Sequence, residues 1–150
     1  MSSWTAQRVL DAAAEMEWVP VGAIELRTDD YRLIRYPDVV LDPTFRAAQV
    51  TWSRTARALE EILDEVAVHI RAWDLPGVAW WVSAATRSAD TEQALCARGA
   101  ELIDAVQVLA REHGATLALV KGRVLTSGPI LLRVGFADYG EERCYWLPVG

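Results

Sequence analysis

Apolar residues recur along the chain at two periods, and the change of period marks out the elements. Over 4–16, Ala6, Val9, Leu10 and Ala13 follow the 3.6-residue period of a helix that Ser3 can cap. Trp18-Val19-Pro20 breaks it. Residues 23–36 predict a β-hairpin with arms 24–27 and 31–36 and Thr28-Asp29-Asp30 as the turn. Residues 37–51 are less regular, with Val39-Val40-Leu41 as a short strand closed by the turn Asp42-Pro43. The clearest helix covers 56–73. Leu59, Ile62, Leu63, Val66, Ile70 and Trp73 share one face, while Glu60, Glu61, Asp64, Glu65 and Arg71 cover the other. Ser53 or Thr55 can cap it, and Leu75-Pro76-Gly77 stops it.

Residues 78–84, VAWWVSA, form a continuous apolar run, the mark of a strand buried on both faces. A short helix over 91–98 follows, capped by Asp90, with Gly99 just past its end. Residues 100–112 fit two patterns. Leu102, Ile103, Val106, Leu109 and Ala110 suit a helix, and Val106-Gln107-Val108 suits a strand. The tail 115–150 holds three β-like runs, separated by Ser127-Gly128-Pro129 and Gly140-Glu141-Glu142, which predicts an antiparallel meander. The expected fold is therefore α/β (α+β): a mixed, mostly antiparallel sheet carrying one long and one short helix, plus a C-terminal β meander, all in a single domain over 1–150.

Composition narrows the function. The 150 residues are 52% hydrophobic, enough for one core, and carry a formal net charge of -6. That acidity argues against a nucleic-acid partner, which needs a basic face, and against an anionic membrane surface. No apolar run approaches a membrane span. Cys96 and Cys144 lack C-x-x-C spacing and read as free thiols in a cytoplasmic protein, with a Cys96–Cys144 disulfide as the alternative. Cys96 is expected to be buried. The nine glycines include no G-x-G, so the dinucleotide fingerprint is absent, and no G-x-x-x-x-G-K-[ST] stands in the chain, so the P-loop is absent too. No metal-ligand spacing or nucleophilic triad is visible.

The phrases EWVPVGAIELRTDDYRLIRYPD, LDPTFRAAQVTWSRT, PGVAWWVSAATRSADTEQALCARGAEL and AVQVLARE carry a resemblance. Residues 17–112 resemble the amino-terminal half of tandem GNAT-type N-acetyltransferases from GC-rich bacteria. The resemblance implies the order strand–helix–strand–helix–strand, and with it a strand over 105–112. Residues 113–150 lie outside it as a β-rich extension. GNAT enzymes hold the acyl-CoA pyrophosphate with a Q/R-x-x-G-x-G/A loop before the long helix. The matching stretch here, Gln49 to Arg57, has no glycine. Side chains there would block the close backbone approach that glycine allows. Ordinary acetyl-CoA binding is not expected, although Arg54, Arg57 and the hydroxyls of Ser53 and Thr55 could still attract an anion.

Each candidate site has a plain structural reading beside it. Trp52-Ser53-Arg54-Thr55 could bind an anionic or aromatic ligand, or simply cap the helix beside a packed Trp and a solvated Arg. Trp80 and Trp81 point to opposite faces of a strand, so one can line a ligand cleft while the other packs in the core. Asp29, Asp30 and Tyr31, near Arg32 and Arg35, could supply an acid and a phenol, or form an ordinary turn. His69 reads as a surface residue paired with Glu65. Phe136, Tyr139, Tyr145 and Trp146 pack in the core or close a cavity or dimer surface.

Two functions follow. The first is a degenerate GNAT-like domain without the standard pyrophosphate loop. It would act as a small-molecule-binding or accessory module, with a second copy or a GNAT-type protein as partner. The ligand residues are then Trp52, Ser53, Arg54, Thr55, Trp80 and Tyr31. The second is an α+β cone-type enzyme acting by acid–base chemistry on an apolar small molecule. It draws on the helical reading of 100–112.

Overall fold

The computed structural model describes residues 4–38, 48–83, 89–113, 116–123 and 126–150. It is a mixed α+β fold. Helix α1 (Ala6–Glu15) is followed by strands β1 (Ile24–Arg27), β2 (Tyr31–Arg35) and β3 (Ala48–Ser53). Helix α2 (Leu59–Ala72), strand β4 (Gly77–Ser83), helix α3 (Ala89–Ala97) and strands β5 (Glu101–His113) and β6 (Thr116–Arg123) come next. Helix α4 (Ser127–Arg133) and strand β7 (Ala137–Pro148) complete the order. The seven strands make one sheet, β1-β2-β3-β4-β7-β5-β6, in which β3 and β4 run parallel and the other pairs antiparallel.

Each face of the sheet carries its own core. Ile62, Leu63, Val66 and Ile70 of α2 and Leu95 of α3 pack on Leu33, Val50, Val78, Trp80, Val82, Tyr145 and Leu147. This is the apolar stripe that the 3.6-residue period predicts. On the other face Val9, Leu10 and Ala13 of α1 meet Val108 and Ala110 of β5. Trp80 is fully buried and its neighbour Trp81 half-buried on the opposite face, as adjacent strand residues must be.

Several boundaries move for identifiable reasons. Thr5 caps α1, its Oγ1 accepting from Arg8 N at 3.2 Å, and Ser3 lies outside the described residues. The short strand expected at Val39-Val40-Leu41, with its turn Asp42-Pro43, also lies outside them. Helix α2 begins at Leu59, after Ala58, with no side-chain cap. Half of the stretch Gln49 to Arg57 is strand rather than loop, because Gln49, Val50 and Thr51 are buried between β2 and β4. Gly99 ends α3 at φ +86, where Gly99 N reaches Cys96 O and Ala100 N reaches Leu95 O.

Glu101–His113 is a strand, as the resemblance implies and against the helical period. The cone-type reading thereby loses the helix it draws on, and the strands of the described residues do not close into a barrel. In the tail, the run after Ser127-Gly128-Pro129 starts as helix α4, and Gly140-Glu141-Glu142 lies inside β7 rather than in a turn. Strand β7 inserts between β4 and β5 in the sheet's interior, while β6 forms its edge beside β5, so the tail's strands belong to the same sheet. Cys96 is exposed and Cys144 buried, both free, which corrects the expected burial of Cys96. Leu95 is the residue that α3 turns to the core. Among the described residues no helix is long and apolar enough to cross a membrane.

Candidate functional site

The site arises from a break in the sheet. Strands β3 and β4 pair only through Ala48–Val78, Gln49–Ala79 and Val50–Trp80. Both strands continue for three more residues, but with different neighbours. Ser53 stays paired to Tyr31 of β2, and Ser83 to Glu142 of β7. Each strand follows its outer partner, and a gap opens between Thr51-Trp52-Ser53 and Trp81-Val82-Ser83. An irregularity helps. Arg32 pairs with Trp52 and Leu33 with Val50, which leaves Thr51 as an extra residue. Such a bulge bends its strand and resets which side chains face which side. Ser53 thereby reaches the α2 face, where its Oγ accepts from Trp80 Nε1 at 3.1 Å. Trp52 turns to the α1 face, where its Nε1 donates to Glu15 at 2.9 Å.

On the α2 face, beside the end of β3 and the break, lies a cavity of about 550 Å3, lined by Ser53, Arg54, Thr55, Arg57, Leu59, Asp90 and Thr91. The uncapped start of α2 and the first turn of α3 both border it. A helix start offers unpaired N–H groups and a positive dipole end. The charges nearby cancel that attraction. Arg57 pairs with Asp30 at 3.2 Å, with Glu61 at 3.3 Å and with Glu65. Its hydrogen bond holds Glu65 below the ordinary carboxylate value. Arg54 pairs with Asp11 at 3.6 Å and lies 4.7 Å over the Trp52 ring. Thr55 Oγ1 accepts from Arg57 N. Both arginines expected to attract an anion are thus already engaged by carboxylates, and Asp90 adds a further one.

The six residues singled out from the sequence all lie around this break, in different roles. Ser53, Arg54 and Thr55 line the outer cavity. Trp52 and Arg54 line a second, smaller chamber on the α1 face. Trp80 is core, with only its indole N–H at the gap. Tyr31 is buried beneath the Arg57–Glu65 pair, and burial, reinforced by Glu65, pushes its phenol up. His69 sits 5.8 Å from the Trp73 ring, while Glu65 goes to Arg57 instead.

Sequence reasoning missed the polar cluster on the α1 face. Lys121 Nζ lies 2.6 Å from Glu17 and 3.0 Å from Glu142, and 5.6 Å over the Trp81 ring. Trp81 Nε1 in turn donates to Gln49 at 2.6 Å. Burial raises the Glu142 carboxyl, with Lys121 pulling the other way. Burial opposes the charge on Lys121, but Glu142 and Glu17 outweigh it and raise that group too. One signal was present: Lys121 is the only lysine and stands inside an apolar run. A charge in such a run needs a buried partner.

Among the described residues no cluster of His, Cys, Asp and Glu could hold a metal ion. No protein-family model, no curated protein and no solved structure matches the chain, so nothing in those comparisons links it to the GNAT acetyltransferases.

Proposed function

We propose that the chain is a degenerate GNAT-like domain that binds a small molecule in the gap between β3 and β4 without gripping an acyl-CoA pyrophosphate. The observation that carries this reading is the parting of two parallel strands after Val50 and Trp80, beside the uncapped start of α2. The order β3–α2–β4–α3–β5 matches the order that the resemblance implies. Against pyrophosphate stand the lack of glycine from Gln49 to Arg57 and the carboxylates already on Arg54 and Arg57. The ligand is therefore neutral or weakly charged. A cytoplasmic setting, suited to the free Cys96 and Cys144, and a protein partner belong to the same reading.

The test has two arms. In thermal unfolding, acetyl-CoA should give no saturable rise in Tm; a rise that grows with ligand concentration as mass action requires would overturn the exclusion. In amide NMR, a library of small neutral fragments should perturb the signals of Ser53, Thr55, Leu59 and Thr91. Hits confined to other surfaces would overturn the gap as the site.

A further inference from the structure

The gap has an inner end. On the α1 face, directly past the last β3–β4 pair, a chamber closes under Asp11 and its helix, with Thr51, Arg54, Trp81, Ser83 and Glu142 among its walls. Arg54 lines both this chamber and the outer cavity, and so stands between the two spaces beside the break in the sheet. The chamber has about 10 Å3 for the centre of a water molecule, room for one.

Two of its walls carry buried polar atoms with no partner among the described residues. Glu142 is 2% exposed and Thr51 4%. Glu142 Oε1 and Thr51 Oγ1 have no hydrogen-bond partner among the described residues. Such groups are ordinarily satisfied by protein or by an ordered molecule. We propose that the small molecule of the strand gap ends in a neutral hydroxyl, which enters this chamber and bonds Glu142 Oε1 and Thr51 Oγ1.

Charge and size select that group. Glu142 already has Lys121 at 3.0 Å, and Asp11 has Arg54 at 3.6 Å. A further full charge of either sign would be buried with no counter-charge of its own. A carboxylate or phosphate would also set acceptor against acceptor at Glu142, which has no proton to offer when ionised. An amide has a suitable N–H, but its planar group exceeds a space that holds one oxygen. A hydroxyl donates to the carboxylate, exchanges a hydrogen bond with Thr51, and fills the place that suits a single water. Replacing a water by a group that keeps its hydrogen bonds favours binding.

This inference rests on the reading of the gap as the binding site, and the experiment separates the two. Labelled protein spanning residues 1–150 is titrated with propan-1-ol, propionate and propylammonium, three probes of equal length that differ in the end group. The Trp81 indole N–H and Thr51 amide report the inner chamber; the Thr55 and Leu59 amides report the outer cavity. Propan-1-ol alone should shift the inner signals saturably. Thr51→Val should weaken that response about threefold to tenfold, and Thr51→Ser, which keeps the hydroxyl, should restore it. An equal inner response to either charged probe would overturn the neutral hydroxyl. An alcohol response at Thr55 and Leu59 alone would overturn the inner site and leave the gap standing. No response at either place would overturn both.

Discussion

Lys121→Met tests the buried cluster under α1, and its effect should depend on pH in a calculable way. The substitution keeps the apolar stem and removes the charge. It leaves Glu142, with a side chain 3% exposed, and Glu17, 14% exposed, without their cation. Removing one partner of a buried pair costs about 3–5 kcal/mol. Protonation limits that cost. Glu142 starts from an ordinary value of 4.5 and is already raised by burial. Without Lys121 it must rise further. A carboxyl raised in the folded state contributes stability fully below its unfolded pKa and loses it as pH climbs through the folded pKa. Each pH unit across that interval is worth about 1.4 kcal/mol. The roughly 3 units between the ordinary value and a neutral buffer therefore amount to about 4 kcal/mol, close to the expected loss. Lys121 itself, raised in the wild type, loses its contribution only in strong base, so it adds nothing to the acid-side trend. Urea unfolding followed by far-UV circular dichroism reads the difference. Near pH 7.5 the midpoint should fall by about 1.5–2 M, taking a slope of about 2 kcal/mol per M. Near pH 5 most of that loss should vanish. Lys121→Met combined with Glu142→Gln should recover more than half of it at the higher pH, since no ionised Glu142 then remains. An equal loss at both pH values, or no recovery in the double variant, would refute the reasoning.

Two further substitutions probe the frame around the gap. A Cβ on Gly77 would stand 2.5 Å from Leu147 O and 2.6 Å from the Trp146 ring. Gly77→Ala must therefore push β7 away from β4, costing about 1–3 kcal/mol and lowering the urea midpoint; an unchanged midpoint would show that the strands can slide apart freely. Ser53→Ala leaves the Trp80 indole N–H, on a fully buried ring, without its acceptor. It should cost about 1–3 kcal/mol in thermal unfolding, while Ser53→Thr keeps the hydroxyl and should sit near wild type; equal losses in both would remove the hydrogen bond as the cause.

How much of this was legible depended on whether a local pattern had one meaning. The amphipathic stripe of α2 had one, and so did the buried run of β4. Residues 100–112 did not. The spacing of Leu102, Val106 and Leu109 fits a helix, yet the segment is held as a strand because it pairs with β6 on one side and β7 on the other. Those partners lie later in the chain, and no window of local sequence contains them. The stretch 127–133 shows the reverse: PILLRV looks like a strand, but α4 leaves Ile130 and Leu132 exposed, so no sheet face claims them. Around the site, the Ser53-to-Thr55 region was visible as polar residues before a helix. The bulge at Thr51 that sets Ser53 on the α2 face and Trp52 on the α1 face was not, because it depends on the register with β2.

The tail 113–150 decides whether the gap exists at all. Strand β4 can leave β3 after Trp80 only because β7 pairs with it along its whole length, from Gly77–Pro148 to Ser83–Glu142. Without β7, the backbone groups of Trp81 to Ser83 would lack partners, and pairing with β3 would be the nearest remedy. The tail also supplies both Lys121 and Glu142, and through Lys121 it ties down Glu17 just beyond the end of α1. Asp11 on Arg54 and Glu15 on Arg27 hold the same helix from the other side. Helix α1 thus closes the inner end of the gap through ion pairs to β1, to the end of β3 and to β6. The residues that match the resemblance, 17–112, contain the two strands that part. The forces that part them, and the floor beneath them, come from the segments that lie outside it.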